Sequence, residues 1–129
     1  MTVFKSATPV LFVRDVPASA AFFRDELGFA VDFLYGTPPF YGSVSRGLAC
    51  LHLRFVHAPV FNEAANGEDS LITATIEVDD VAALFAEFQP RHVGIVQPPT
   101  KQPWGGTDML VREPGGNMVS FVTFYLAGS

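Results

Sequence analysis

The chain has 129 residues, one domain's worth; 49% are apolar and only 16% charged, which excludes a two-domain arrangement and a disordered chain. Thirteen acidic against eight basic side chains leave a net charge of −5, the wrong sign for a nucleic-acid partner. No apolar run approaches the roughly 20 residues of a membrane span, and the lone cysteine, Cys50, excludes an internal disulfide. The first residues lack the basic stretch and cleavage site of a signal peptide, so a cytoplasmic location is expected. A mean hydropathy of +0.29 with so few charges implies surface hidden from water, and a homodimer is the simplest way to hide it.

In chain order, the short β-branched run over 9–13 predicts a strand, broken by Arg14-Asp15. Asp15 is placed to cap a helix over 16–27, with Pro17 in its first turn and Gly28 as its left-handed stop. Phe29, Val31, Phe33 and Tyr35 alternate with Ala30, Asp32 and Leu34, the period of a half-buried strand. After the turn at 36–39, two more strands are expected over 41–46 and 48–56, with Leu51 and Leu53 on one face and Cys50, His52 and Arg54 on the other. A polar linker over 57–70 follows. Then the pattern repeats: Val13-Arg-Asp-Val16 recurs as Val78-Asp-Asp-Val81, each closing a strand and opening a helix. In the second helix Val81, Leu84, Phe85 and Phe88 form one stripe, ended by Pro90. Strands over 94–97, 104–112 and 117–125 answer those of the first half, with a turn at 113–116.

Each half therefore reads strand, helix, strand, strand, strand. The expected fold class is α+β: one domain over 1–129, made of two tandem βαβββ modules, about 8–56 and 71–125. They would form a curved mixed sheet with helices on one face and an open cleft on the other. Ile72, Ala74, Ile76 and Val78 fall to the covered face; Thr73, Thr75, Glu77, Cys50, His52, Arg54 and Ser120 give the open face a polar tint suited to a ligand.

The tandem halves, Val13-Arg-Asp-Val16, Leu27-Gly28-Phe29 and Glu113-Pro-Gly-Gly-Asn117 resemble the vicinal oxygen chelate superfamily of glyoxalase I, extradiol dioxygenases and bleomycin resistance proteins. Ala7-Thr-Pro-Val-Leu-Phe-Val-Arg-Asp-Val16 with Gln102-Pro-Trp-Gly105 is most similar to the bleomycin resistance branch. The resemblance implies four metal-ligand positions in the enzymes, which fall here on Thr8, Thr73, Ser120 and on or beside His52. One plausible donor in four is too few for a divalent ion, so neither a metal site nor a cofactor is expected.

What the resemblance implies is a non-enzymatic protein that binds and sequesters an aromatic, positively charged small molecule, as an antibiotic-resistance protein does. Asp32, Phe33, Tyr41 and Trp104 match the region where that branch holds its ligand, while His52 and Arg54 would line the floor and Glu77 the same open surface. Net negative charge and aromatic faces both favour a cation. Arg54 departs from this by setting a positive charge where a cationic drug would lie, which argues for a ligand other than bleomycin. The competing reading is a metal-dependent glyoxalase- or dioxygenase-type enzyme with His52 and Glu77 as surviving ligands. No nucleophile elbow or phosphate-cradling loop is present, and Cys50 lies mid-strand without a helix terminus to activate it.

Overall fold

The computed structural model of the chain describes residues 1–58, 71–91 and 93–125. The first module runs β1 (Val10–Val13), α1 (Val16–Asp25), β2 (Ala30–Tyr35), β3 (Tyr41–Arg46) and β4 (Ala49–Phe55). The second repeats it as β5 (Ile72–Glu77), α2 (Val81–Phe88), a 3₁₀ turn at Gln89–Arg91, β6 (Ile95–Lys101), β7 (Gly106–Arg112) and β8 (Met118–Phe124). The strands form two four-stranded mixed sheets rather than one, in the orders β1-β4-β3-β2 and β5-β8-β7-β6. In each, the first strand pairs in parallel with the last strand of its own module.

The two strand-to-helix junctions are built alike. Asp15 accepts a hydrogen bond from Ala18 N and Asp80 from Ala83 N, both at 3.0 Å, so each helix opens on a capped first turn. Asp79 is exposed and caps nothing. Helix α1 ends at Asp25, two residues before the expected Leu27, and Gly28 then takes a φ of +76°, which an L side chain rarely adopts.

Each helix covers one face of its own sheet. Leu11, Val13, Leu51, Leu53 and Val44 of the first module and Met109, Val111, Val119 and Phe121 of the second join Phe23, Leu27 and Phe88 in a single core. Edge-to-face aromatic pairs run through it, Phe23 with Phe29 at 5.2 Å and Phe88 with Phe121 at 5.6 Å.

Between the modules the links are side chains. Arg46 at the end of β3 donates to both carboxylate oxygens of Glu87 on α2 and to the Leu27 carbonyl, each at 2.8 Å; Arg91 adds a further bond to Glu87. The guanidinium hydrogen bonds hold the Glu87 carboxyl below its ordinary pKa and, reciprocally, raise that of Arg46. On the other side Glu113, 2% exposed, accepts from Ser19 Oγ on α1 and from Asn117 N and Nδ2. Asn117 Nδ2 also donates to the Phe12 carbonyl of β1. The turn 113–116 thus does more than reverse the chain: it fastens the second module to the first. A Cβ on Gly115 would lie 2.6 Å from Glu113 Oε1 and 3.0 Å from Val13 Cγ1, so any larger residue would push this buried carboxyl aside.

Three strand expectations are corrected. A bulge between Val31 and Phe33 breaks the alternation in β2, so Phe33 pairs with Ser43 and parts company with Phe29 and Val31. A second bulge, at Thr73, pairs Ile72 with Met118 and leaves it 49% exposed, outside the covered set to which it was assigned. β6 is longer than 94–97 and runs through Pro98-Pro99 to Lys101; an outer strand with bulges tolerates residues that cannot donate to a ladder. Most of the linker, 59–70, lies outside the described residues, as does His92.

Candidate functional site

The face of each sheet turned from its helix is the open one, and the register states which side chains share it. In the first sheet Val10, His52, Ser43 and Phe33 form one row, and Phe12, Arg54, Tyr41 and Tyr35 the next. His52, whose facing depended on register, therefore lies on the open face. Its Nδ1 shares a 2.9 Å hydrogen bond with the Tyr41 hydroxyl, and its ring meets Tyr41 and Phe33 edge-on at 5.3 and 6.1 Å. Asp32, at the bulge, accepts from Ser43 Oγ at 2.9 Å and Ser45 Oγ at 2.7 Å, which fixes the carboxylate on this face and explains why the strand bulges there. The Arg54 guanidinium carbon lies 5.6 Å above the Phe12 ring in the same row. Five sequence-predicted residues, Asp32, Phe33, Tyr41, His52 and Arg54, thus share one surface with Phe12, which sequence reasoning did not single out.

Trp104 and Glu77 belong to the other open face. There Thr75, Ser120 and Leu110 form one row, Glu77, Val122, Asp108 and Thr100 the next, and Phe124 and Gly106 the last. The Trp104 ring lies over Gly106: a Cβ on that glycine would stand 2.4 Å from Trp104 Cζ3. Its other neighbour is Phe124, 6.0 Å between centroids. The indole thus fills the space above a sheet position that has no side chain, with 56% of the residue exposed. Asp108 is 6% exposed, and its Oδ1 accepts from the side-chain amides of Gln97 at 2.8 Å and Gln102 at 2.9 Å. Asp108 and Phe124 were missed, although strand alternation opposite Met109 and Phe121 already assigns them to this face.

A cavity of about 980 Å³ runs along the seam between modules and takes in Cys50 from the first open face and Thr75 and Glu77 from the second, with Arg46 and Glu87 also lining it. Cys50 Sγ lies 3.4 Å from Ser43 Oγ.

The residues at the family's metal positions do not make a donor set. Thr73 Oγ1 donates to the Met118 carbonyl, Ser120 is a buried neutral hydroxyl, and among the described residues no group of three or more His, Cys, Asp or Glu could hold an ion. Nor is any helix among them long and apolar enough to cross a membrane.

A family model described as Glyoxalase/Bleomycin resistance protein/Dioxygenase superfamily matches residues 5–121. Among solved structures, the bleomycin-binding protein from bleomycin-producing Streptomyces verticillus, complexed with copper(II)-bleomycin, is 32% identical. It superposes with a TM-score of 0.76, over 94% of this chain and 97% of that one. A bleomycin resistance determinant encoded on the transposon Tn5 is 24% identical, with a TM-score of 0.75 over 95% and 100% of the two chains. Lactoylglutathione lyase from Agrobacterium tumefaciens is 19% identical, with a TM-score of 0.70 over 95% of each. No curated protein matches significantly.

Proposed function

The chain belongs to the Glyoxalase/Bleomycin resistance protein/Dioxygenase superfamily, and from that membership we propose that it binds and sequesters an aromatic, positively charged small molecule of the bleomycin kind without transforming it. The observation that carries this reading is Trp104, whose ring occupies the space above Gly106 while more than half of the residue stays exposed, as a platform for a planar ring. An indole offers wide, rigid contact at little entropic cost, and the negative charge of the chain favours a cation. On the first sheet, Asp32, Phe33, Tyr41 and His52 supply further aromatic edges and a carboxylate, while the Arg54 guanidinium lies over Phe12. The family resemblance and the shortage of donors at Thr8, Thr73 and Ser120 favour sequestration over metal chemistry.

We also assign the working unit as a homodimer. Val10, Phe12, Phe33, Tyr35 and Phe40 are all more than a third exposed, and a second copy would cover them. Titrating bleomycin against the tryptophan emission tests the function directly, since Trp104 is the chain's only tryptophan. Trp104→Ala should weaken binding by about 2 kcal/mol, roughly thirtyfold, while leaving the fold intact. Unchanged emission together with unchanged affinity in the variant would refute the site. The enzyme reading, supported by the likeness in fold to lactoylglutathione lyase, predicts instead about one divalent ion per subunit, lost on His52→Ala.

A further inference from the structure

On the open face of the second sheet Asp108 is 94% buried and has no cationic partner among the described residues. Both of its amide donors, from Gln97 and Gln102, go to Oδ1, and no described residue donates to Oδ2. No side-chain oxygen or nitrogen of the described residues is both enclosed and unpartnered, so Oδ2 keeps some access to solvent although the residue as a whole is nearly buried. The nearby cations are occupied elsewhere: Lys101 Nζ sits 5.1 Å above the Tyr125 ring, and Arg112 donates to the Gly116 carbonyl. A carboxylate taken out of water is costly unless it is paired, and two neutral amides fix its orientation without neutralising it.

The surroundings show what would complete the pair. Asp108 stands in one row with fully buried Val122 and with Glu77, and the adjoining row carries Gly106, over which Trp104 lies. Neighbouring rows on one face are about 7 Å apart. We propose that Asp108 Oδ2 is the anchor for a positively charged nitrogen, an ammonium or guanidinium, on the ligand whose ring stacks on Trp104, with Glu77 supplying a second, solvent-facing negative charge across Val122. This rests on the binding function proposed above and adds the residue that selects for charge. A ligand that stacks but carries no cation leaves the buried carboxylate unpaired and is disfavoured for that reason.

The test uses two probes of equal shape and different charge, 2-naphthylmethylammonium and 2-naphthylmethanol, titrated calorimetrically into the full chain, the parent beside Asp108→Asn and Trp104→Ala. Asparagine keeps the shape and an acceptor for the two glutamine amides while removing the charge. The parent should prefer the ammonium by about tenfold or more, as a charge-assisted hydrogen bond does, and Asp108→Asn should abolish that preference without weakening the alcohol. Trp104→Ala should weaken both probes alike. If Asp108→Asn leaves the preference standing, if it weakens both probes equally, or if the parent binds neither, the assignment is wrong. Should the variant fail to fold, the parent decides: its Asp108 carboxyl carbon resonance should move with the ammonium and not with the alcohol, and a resonance unmoved by either overturns the proposal. Bleomycin titrated in parallel separates the two ideas. Bleomycin binding with no Asp108-dependent charge preference sinks the anchor alone; a preference without bleomycin binding sinks the sequestration reading alone.

Discussion

Glu113→Ala is the most severe single change the fold predicts outside its apolar core. The carboxyl is 2% exposed and receives three hydrogen bonds: Ser19 Oγ at 2.9 Å, Asn117 N at 3.0 Å and Asn117 Nδ2 at 2.6 Å. Truncation strands two of these donors, Ser19 Oγ and Asn117 N, while Asn117 Nδ2 keeps its bond to the Phe12 carbonyl. Each buried donor left without a partner costs about 1–3 kcal/mol, so the total is about 4 kcal/mol before any collapse of the cavity. At about 2.1 cal/mol/K of unfolding entropy per residue, this corresponds to a fall in Tm of about 15 °C. Ser19→Ala removes a donor with its hydroxyl and should cost only about 1 kcal/mol. Differential scanning calorimetry of parent, Glu113→Ala and Ser19→Ala measures the series. A Tm within about 3 °C of the parent for Glu113→Ala would show that the turn merely reverses the chain and does not fasten the modules.

Gly106→Ala puts a methyl group where the Trp104 ring lies, so the indole must lift from the sheet; its emission should shift red and aromatic ligands should weaken with little change in Tm, and an unaltered spectrum would count against the platform. Glu87→Gln removes the carboxylate that Arg46 and Arg91 share, and should cost about 1 kcal/mol at neutral pH in this half-exposed setting. Because the folded Glu87 carboxyl lies below its ordinary pKa, that contribution is complete above the ordinary carboxyl range and fades as pH falls through the lowered value; urea titrations of parent and variant should therefore converge in acid. Asp80→Ala takes the cap from α2 and should cost about 1 kcal/mol by the same titration. Sedimentation at micromolar concentration should show twice the 14.0 kDa chain mass, and a purely monomeric species would end the homodimer assignment.

Much of this was legible in the sequence because the repeat constrains it. Val13-Arg-Asp-Val16 and Val78-Asp-Asp-Val81 announce two equal junctions, and both aspartates do cap. Strand alternation sufficed to put Cys50, His52 and Arg54 on one face; Tyr41 joins them only through the pairing of β3 with β4. It failed where a bulge inserts a residue: nothing local in Ala30 to Tyr35 says that Asp32 will be drawn to two serines a strand away, and that pull is what turns Phe33 outward. β6 runs past 97 because an outer strand has one side of its backbone unpaired and can accept Pro98 and Pro99, which the repeat of the first half does not announce. Asp108 was passed over for a different reason: its identity as a buried, half-satisfied carboxylate depends on Gln97 and Gln102, and only the folded turn between β6 and β7 brings all three together. The role of Glu113 was hidden in the same way, since its partner Ser19 lies in the other module.

The parallel pairing of β1 with β4, and of β5 with β8, has a consequence for the order in which the protein can assemble. Each sheet's first strand waits for its last, so neither module can close until nearly all of it has left the ribosome. The first could form once Phe55 has emerged, yet the carbonyl of Phe12 and the hydroxyl of Ser19 reach partners only when Asn117 and Glu113 arrive. Synthesis would therefore pass through a half-molecule whose edge and inner surface are open to a neighbouring nascent chain. In a protein of two halves built on the same order of elements, that interval is when one chain's module can take the place of another's.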